Sequence, residues 1–418
     1  KIILLLIKNQ NGYSIVVITG FLQNGTTLKQ FSESLGFEYI GVIDGHNTED
    51  LIEVLIKIKK KKYPVFLHVT TQKGKGYKPA EKYPLVYHTP LAPFVPKNGR
   101  LYLDKMIPNT KMFGQITGLL QQKGKEYFQK YSNMYYVYPS LPVLISLKSE
   151  YPERVIDTAI TEQHCMTFST ALVEAGNKVI MSMYGHFLAR CYDQIFDLCM
   201  QQTPLTINAL ICNIAETGPT HQSIYVRNVL KLIPGLTIME PVTFLEYEQM
   251  LDFCISYDKP LAILVPNTII DDRSLELPYK SQLNNIKTAQ GVVVKSGDKL
   301  TVLPAGSFFP EALKLSEELE EVELLHPRFL KPFDWELLQK SVEKTGKLLV
   351  LEESLKLSGV TADICHFLLE KGVHCQLKTV AVDDRFIPYS SDGTVGAIKS
   401  DLNLDYEAVK QKALELLS

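Results

Sequence analysis

Short apolar runs alternate along this chain with longer stretches of helical spacing. The alternation predicts parallel sheets covered by helices. Thr48 to Lys60 carries a helical pattern and is followed by the apolar run Tyr63 to Thr70, a helix-then-strand unit. The basic run Lys59 to Lys62 between them reads as a solvated helix end rather than a nucleic-acid patch. The apolar stretch Ile2 to Ile7 is expected to be a buried strand, being far short of the ~20 residues a membrane helix needs. Thr89 to Asn98, with Pro90, Pro93 and Pro96, reads as a linker.

Beyond the linker the pattern predicts helices at Met112 to Tyr131, Glu162 to Ala175 and Phe187 to Gln201. Strands are predicted at Val155 to Asp157, Lys178 to Met183, Pro204 to Cys212 and Leu261 to Val265. A polar, patternless stretch around Asp271 to Thr288 marks a second boundary. After it, Leu300 to Gly306, Val322 to Leu325, Lys347 to Glu352 and Gln376 to Val380 are strand candidates interleaved with helices. The fold class expected is α/β, doubly wound, in segments 1–100, 101–275 and 276–418.

Composition changes this picture little. The 418 residues are 45% hydrophobic and 22% charged with a net charge of -2, which gives no reason to expect nucleic acid or a membrane as partner. Small molecules are the better expectation. The seven cysteines show no zinc spacing or C-x-x-C pair, so reduced thiols in a cytoplasm or a plastid-type organelle stroma are expected. The chain opens on Lys1 rather than Met, the start expected of a fragment or a processed form.

The informative residues lie between Asp157 and His221. The motifs are Asp157-Thr-Ala-Ile-Thr-Glu162-Gln-His, Tyr184-Gly-His-Phe187-Leu-Ala-Arg190-Cys-Tyr-Asp-Gln and Gly218-Pro-Thr-His221-Gln. In that order and spacing they resemble the 1-deoxy-D-xylulose-5-phosphate synthases, thiamin-diphosphate enzymes of transketolase type. Upstream, Asp44-Gly-His46 and Lys73-Gly-Lys-Gly-Tyr to His88 resemble the end of that family's first domain. Downstream, Leu351-Glu-Glu353 and Arg385-Phe-Ile-Pro388 resemble its third.

The resemblance implies two thiamin-diphosphate-binding, transketolase-like domains, the first only a remnant, plus a transketolase C-terminal domain. It implies thiamin diphosphate and Mg²⁺ as cofactors, and pyruvate and D-glyceraldehyde 3-phosphate as substrates. Isoprenoid precursors would be the destination, and a homodimer or a partner chain the assembly. Glu162 would face the aminopyrimidine ring, Phe187 would stack on it, and Tyr184 and Arg190 would lie one helical turn either side in the same pocket. His221 would contact substrate, with His88 and His46 in the same cleft, and Lys73 would approach a phosphate.

Physical chemistry supplies a bland alternative for each. Glu162 also suits the first turn of a helix, where a carboxylate complements the dipole. Phe187 could be core, Arg190 a surface ion pair, and the Lys73 turn a plain surface turn.

Three departures from the family stand out. No Gly-Asp-Gly metal motif occurs, so no metal ligand is expected in this sequence. Apolar residues stand at Ala209-Leu210 and before Pro266, where arginines are expected to fork onto the substrate phosphate, and Thr217 replaces an acid. A non-catalytic relative, or a β-type subunit whose partner carries the metal motif, is therefore the alternative.

Stacking at Phe187 and one hydrogen bond at Glu162 would contribute about 1 kcal/mol each, against ~4 kcal/mol or more of lost translational and rotational freedom. The 418-residue chain should accordingly bind thiamin diphosphate with a Kd no better than about millimolar. Calorimetric titration with Mg²⁺ present checks this, and a micromolar, magnesium-dependent Kd would contradict it.

Overall fold

The computed structural model describes residues 3–9, 27–84, 87, 94–101, 108–141, 144–216, 218–272, 286–389 and 394–418. The chain forms two compact units. One comprises residues 1–111 with 158–161, and the other comprises 112–157 with 162–418.

The first unit is built on a parallel three-stranded sheet. Its strands are β1 (Ile3–Asn9), β2 (Glu38–Asp44) and β3 (Val65–Thr71), in the order β1-β3-β2. The centre strand has its apolar run buried, as a strand covered on both faces must. The helix Thr48–Lys59 links β2 to β3, capped by Asn47, whose side chain accepts the Asp50 N–H. Its basic end runs into the Lys59 to Lys62 stretch, as the sequence pattern predicts.

The second unit holds two sheets. The larger is formed by β4 (Met134–Tyr138), β5 (Val155–Asp157), β6 (Lys178–Tyr184), β7 (Thr206–Leu210), β8 (Thr237–Met239) and β9 (Leu261–Val265), all parallel. The smaller is formed by β10 (Val292–Lys295), β11 (Leu300–Ala305), β12 (Val322–His326), β14 (Lys347–Leu355) and β15 (Gln376–Val382), parallel except for β10. Between β12 and β14 the chain sends β13 (Phe329–Lys331) into the larger sheet, antiparallel to β8, so that sheet reads β13-β8-β9-β7-β6-β4-β5. The expected doubly wound α/β class is therefore what the chain adopts. The third sequence segment, however, completes the sheet of the second.

One departure from the expected elements bears directly on the site. The predicted helix Phe187 to Gln201 is two pieces, a 3₁₀ segment Gly185–Cys191 followed by the α-helix Tyr192–Met200. Tyr184 is the last residue of β6 rather than part of that helix. A 3₁₀ segment has three residues per turn, so Phe187 and Arg190 share one edge of it.

Apolar contacts and buried charges join the two sheets of this unit. Ile214, Ile224 and Val242 lie in one core with Leu300, Phe308 and Leu349. Arg227 is fully buried, pairs with Glu240 through Nε and donates from a second nitrogen to the Cys212 carbonyl. The other Glu240 oxygen accepts the Gly306 N–H at 2.9 Å. Glu246 accepts from His326 and from Arg328 Nε at 3.0 Å, while also accepting the Val242 N–H at the start of its own helix. Across the same seam, Glu353 accepts the Ile214 N–H at 2.9 Å and is 3.1 Å from Lys399 Nζ.

No helix among the described residues is long and apolar enough to cross a membrane. Removing one partner of a buried pair strands the other charge, at a cost of about 3–5 kcal/mol. Arg227→Met is therefore expected to lower unfolding stability by about 3 kcal/mol or more, read by urea denaturation with circular dichroism. A change below about 1 kcal/mol would mean the pair is not holding the sheets together.

Candidate functional site

In an open parallel sheet the strand carboxyl ends leave a crevice where the winding direction reverses. In the larger sheet β5 lies on one side of β4 and β6 on the other, which places the reversal between β4 and β6. The sequence motifs collect at this edge. Glu162 opens the helix Glu162–Glu174 that follows β5. The Gly185–Cys191 segment follows β6, and the loop carrying His221 follows β7.

Glu162 is 2% exposed, and Arg190 Nε stands 3.6 Å from one of its oxygens. Arg190 itself has more than half of its side chain in solvent, at 57%. The arrangement is a buried carboxylate with a partly wet guanidinium at its mouth.

Five rings stand together around the end of β6 and the 3₁₀ segment. Tyr184 packs against Phe113 with ring centroids 5.9 Å apart, and lies nearly parallel to the His186 ring at 6.0 Å. His186 is 3.9 Å from the Phe187 ring and 4.7 Å from that of His221, which meets Phe187 edge-on at 5.7 Å. Burial pushes the Tyr184 phenol up to about 12. Burial first, and the neighbouring His221 second, push His186 down to about 4. At neutral pH His186 is therefore an uncharged imidazole.

His221 is exposed on a turn closed by its own N–H donating to the Gly218 carbonyl at 3.1 Å, with its Nδ1 2.7 Å from Thr220 Oγ1. Gly218 holds φ +73°, and the Tyr389 ring lies where a side chain would project. The C-terminal segment thus reaches over and packs on the turn that presents His221.

Other expected residues are placed differently. His46 lies in the first unit, where its Nε2 accepts the Gln72 N–H at 2.7 Å, so this nitrogen is occupied within the unit. Lys73 begins a turn in which the Gly76 N–H is already taken by Glu81 Oε1 at 2.9 Å, and a Cβ at Gly74 would strike Ala80. That turn is closed on itself by a carboxylate. His88 and Thr217 lie outside the described residues. Leu210 and Val265, at the positions where guanidinium is expected, face each other in register at the ends of β7 and β9 and are fully buried. Among the described residues no group of three or more His, Cys, Asp or Glu side chains is placed to hold a metal ion. Burial pushes the Cys191 and Cys212 thiols up to about 12, away from the thiolate form.

Sequence reasoning passed over His186, although it sits inside a quoted motif. Its signal was its position, between the tyrosine and the phenylalanine singled out on either side of it.

Family models match three successive stretches. These are 1-deoxy-D-xylulose-5-phosphate synthase at residues 7–71, the transketolase pyrimidine binding domain at 117–270 and the transketolase C-terminal domain at 289–399. The first match begins upstream of Asp44-Gly-His46, the first motif that carries the resemblance. A 1-deoxy-D-xylulose-5-phosphate synthase of Geobacter sulfurreducens is 31% identical over 398 residues, 93% of this chain and 60% of that protein. Its namesake from Heliobacterium modesticaldum is 29% identical over 98% of this chain and 61% of its own length. The chain thus spans about 60% of the length of the curated relatives it matches.

Among solved structures, a split-gene transketolase described as an inactive β4 tetramer matches with TM-score 0.61 at 22% identity, covering 74% of this chain and 99% of its own. A transketolase from Campylobacter jejuni matches with TM-score 0.57 at 15% identity, covering 93% of this chain and 69% of its own. The fold is accordingly of transketolase type. Within it, the chain belongs to the 1-deoxy-D-xylulose-5-phosphate synthase family.

A side chain at Gly218 would both strain a left-handed φ and collide with Tyr389. Gly218→Ala should cost about 1 kcal/mol or more and shift the His221 imidazole resonances. Unmoved His221 signals would show that the turn does not depend on this packing.

Proposed function

We propose that this chain supplies the pyrimidine-facing half of a thiamin-diphosphate site. The assembly it belongs to would decarboxylate pyruvate and transfer the two-carbon unit to D-glyceraldehyde 3-phosphate, giving 1-deoxy-D-xylulose 5-phosphate for isoprenoid precursor synthesis. The observation that carries the reading is the nearly sealed Glu162 carboxyl at the sheet's reversal point, within a matched pyrimidine-binding domain.

The residues fit the organic part of the cofactor. Glu162 would bond the far nitrogen of the aminopyrimidine, Phe187 would lie against the ring, and the half-buried Tyr184 would back the pocket. When bound, the cofactor supplies an electron sink for the acyl carbanion. Glu162 would hold a hydrogen bond to the ring nitrogen, the contact that would make the amino group opposite more basic. His221, exposed at the crevice, suits proton transfer at substrate oxygen. Arg190 leaves its guanidinium partly in solvent, where an anionic substrate group can meet it.

For the diphosphate and magnesium the described residues provide no comparable fit, and no step is assigned to a metal. A homodimer or a second polypeptide would complete the site. The coverage of nearly all of a split-gene transketolase chain favours the second polypeptide, which would copurify with this chain. The compartment proposed is the cytoplasm or an organelle stroma.

Glu162→Gln tests the assignment, because it removes only the charge and the acidic proton. In an assembly that turns over, the variant should lose C2-proton exchange of thiamin diphosphate by a factor of about 100 or more and keep its melting temperature. Exchange at the wild-type rate would exclude Glu162 from the role.

A further inference from the structure

His186 is not used by the function proposed above. Neither of its ring nitrogens has a hydrogen-bond partner among the described residues, and both are closed to solvent. Its ring is packed instead against the tilted rings of Phe187 and His221, with centroids 3.9 and 4.7 Å away. A neutral imidazole carries one donor and one acceptor, and buried polar groups are normally satisfied. Ring packing satisfies neither.

The surroundings narrow what could. At the ends of β7 and β9 stand Leu210 and Val265, fully buried, so these positions offer no cation. Ser223 lies on the same side, with its Oγ 3.2 Å from where a Gly185 Cβ would stand, and that hydroxyl is also buried without a partner among the described residues. The unsatisfied polar groups next to His186 are therefore neutral donors and acceptors, while the guanidinium of the site, Arg190, already faces the Glu162 carboxylate at 3.6 Å. Neutral groups suit carbonyl and hydroxyl oxygens, whereas a phosphate calls for guanidinium or ammonium.

We infer that His186 is a ligand-contacting residue of this site, hydrogen-bonding an uncharged oxygen of the aldehyde acceptor beside His221. The inference rests on the acceptor being an aldehyde, as in the proposed reaction, but not on thiamin diphosphate binding to this chain. To reach its ligand the ring has to turn about its Cβ–Cγ bond, a broad torsion for histidine, with the exposed His221 ring beside it giving way. The same geometry explains why sequence reading passed it over, since its neighbours in the motif, and not the residue itself, carry the resemblance.

The test is an NMR titration of the imidazole Cε1–Hε1 signals of the full chain. The probes are unphosphorylated D-glyceraldehyde and, separately, inorganic phosphate, each with and without thiamin diphosphate and Mg²⁺. Glyceraldehyde should shift the His186 signal saturably and phosphate should not. His186→Phe, which fills the same space with no polar atom, should weaken glyceraldehyde binding at least tenfold. His186→Asn, which keeps a donor and an acceptor, should restore part of it.

A His186 signal unmoved by glyceraldehyde, or moved only by phosphate, overturns the inference. So does a His186→Phe variant that binds as the wild type does. Cofactor binding is read separately at the Phe187 ring signals. Failure of cofactor binding in the completed assembly would tell against the thiamin reading, while the glyceraldehyde response would still decide the role of His186.

Discussion

The seam of buried charge between the two sheets of the larger unit is what the site depends on. Arg227 and Glu240, Glu246 with His326 and Arg328, and Glu353 with Lys399 all lie where water is excluded. Each costs desolvation, and the further hydrogen bonds each group makes, several of them to backbone, help to offset it. Those backbone partners are the important part. Ile214 N–H donates to Glu353 and the Cys212 carbonyl accepts from Arg227, so both ends of the seam grip the loop that follows β7. That loop presents His221. A carboxylate on β14, in another sheet, therefore helps to fix where an imidazole stands at the edge of the first.

Glu246 shows the economy of the arrangement. Thr243 caps the helix Phe244–Ser256 by accepting the Glu246 N–H, and the Glu246 carboxylate returns to the Val242 N–H. A local device for starting a helix is thereby made to hold His326 and Arg328 from the other sheet. Burial alone would push this carboxyl up, but its bonds to His326, Arg328 and Val242 hold it below the ordinary value. It stays ionised where an isolated carboxyl would not.

Much of the fold was legible because buried parallel strands leave continuous apolar runs. β6, β9, β11 and β14 could be read that way, with ends within a few residues. The tyrosine-rich β4 and the three-residue β8 and β13 carry too little pattern, and β13 joins a sheet that local sequence cannot point to. Glu162, Phe187 and His221 were legible through motif resemblance. What the motifs could not show is three-dimensional: the 3₁₀ geometry that ends at Cys191, the Arg190 guanidinium over Glu162, the Gln72 N–H on His46, and the unmet nitrogens of His186. None of these follows from residue spacing.

The exchange of β13 has a bearing on how such chains can be divided in evolution. A gene broken near residue 280 would part the seven-stranded sheet from its outermost strand, leaving β8 with a bare edge prone to pairing with other molecules. Fission upstream, before the helix Pro108–Lys130, cuts no strand pairing of either large sheet. The strand crossing from one segment into the other's sheet thus makes the last two domains a single heritable block, and it marks the boundary ahead of them as the place where genes of this architecture can come apart.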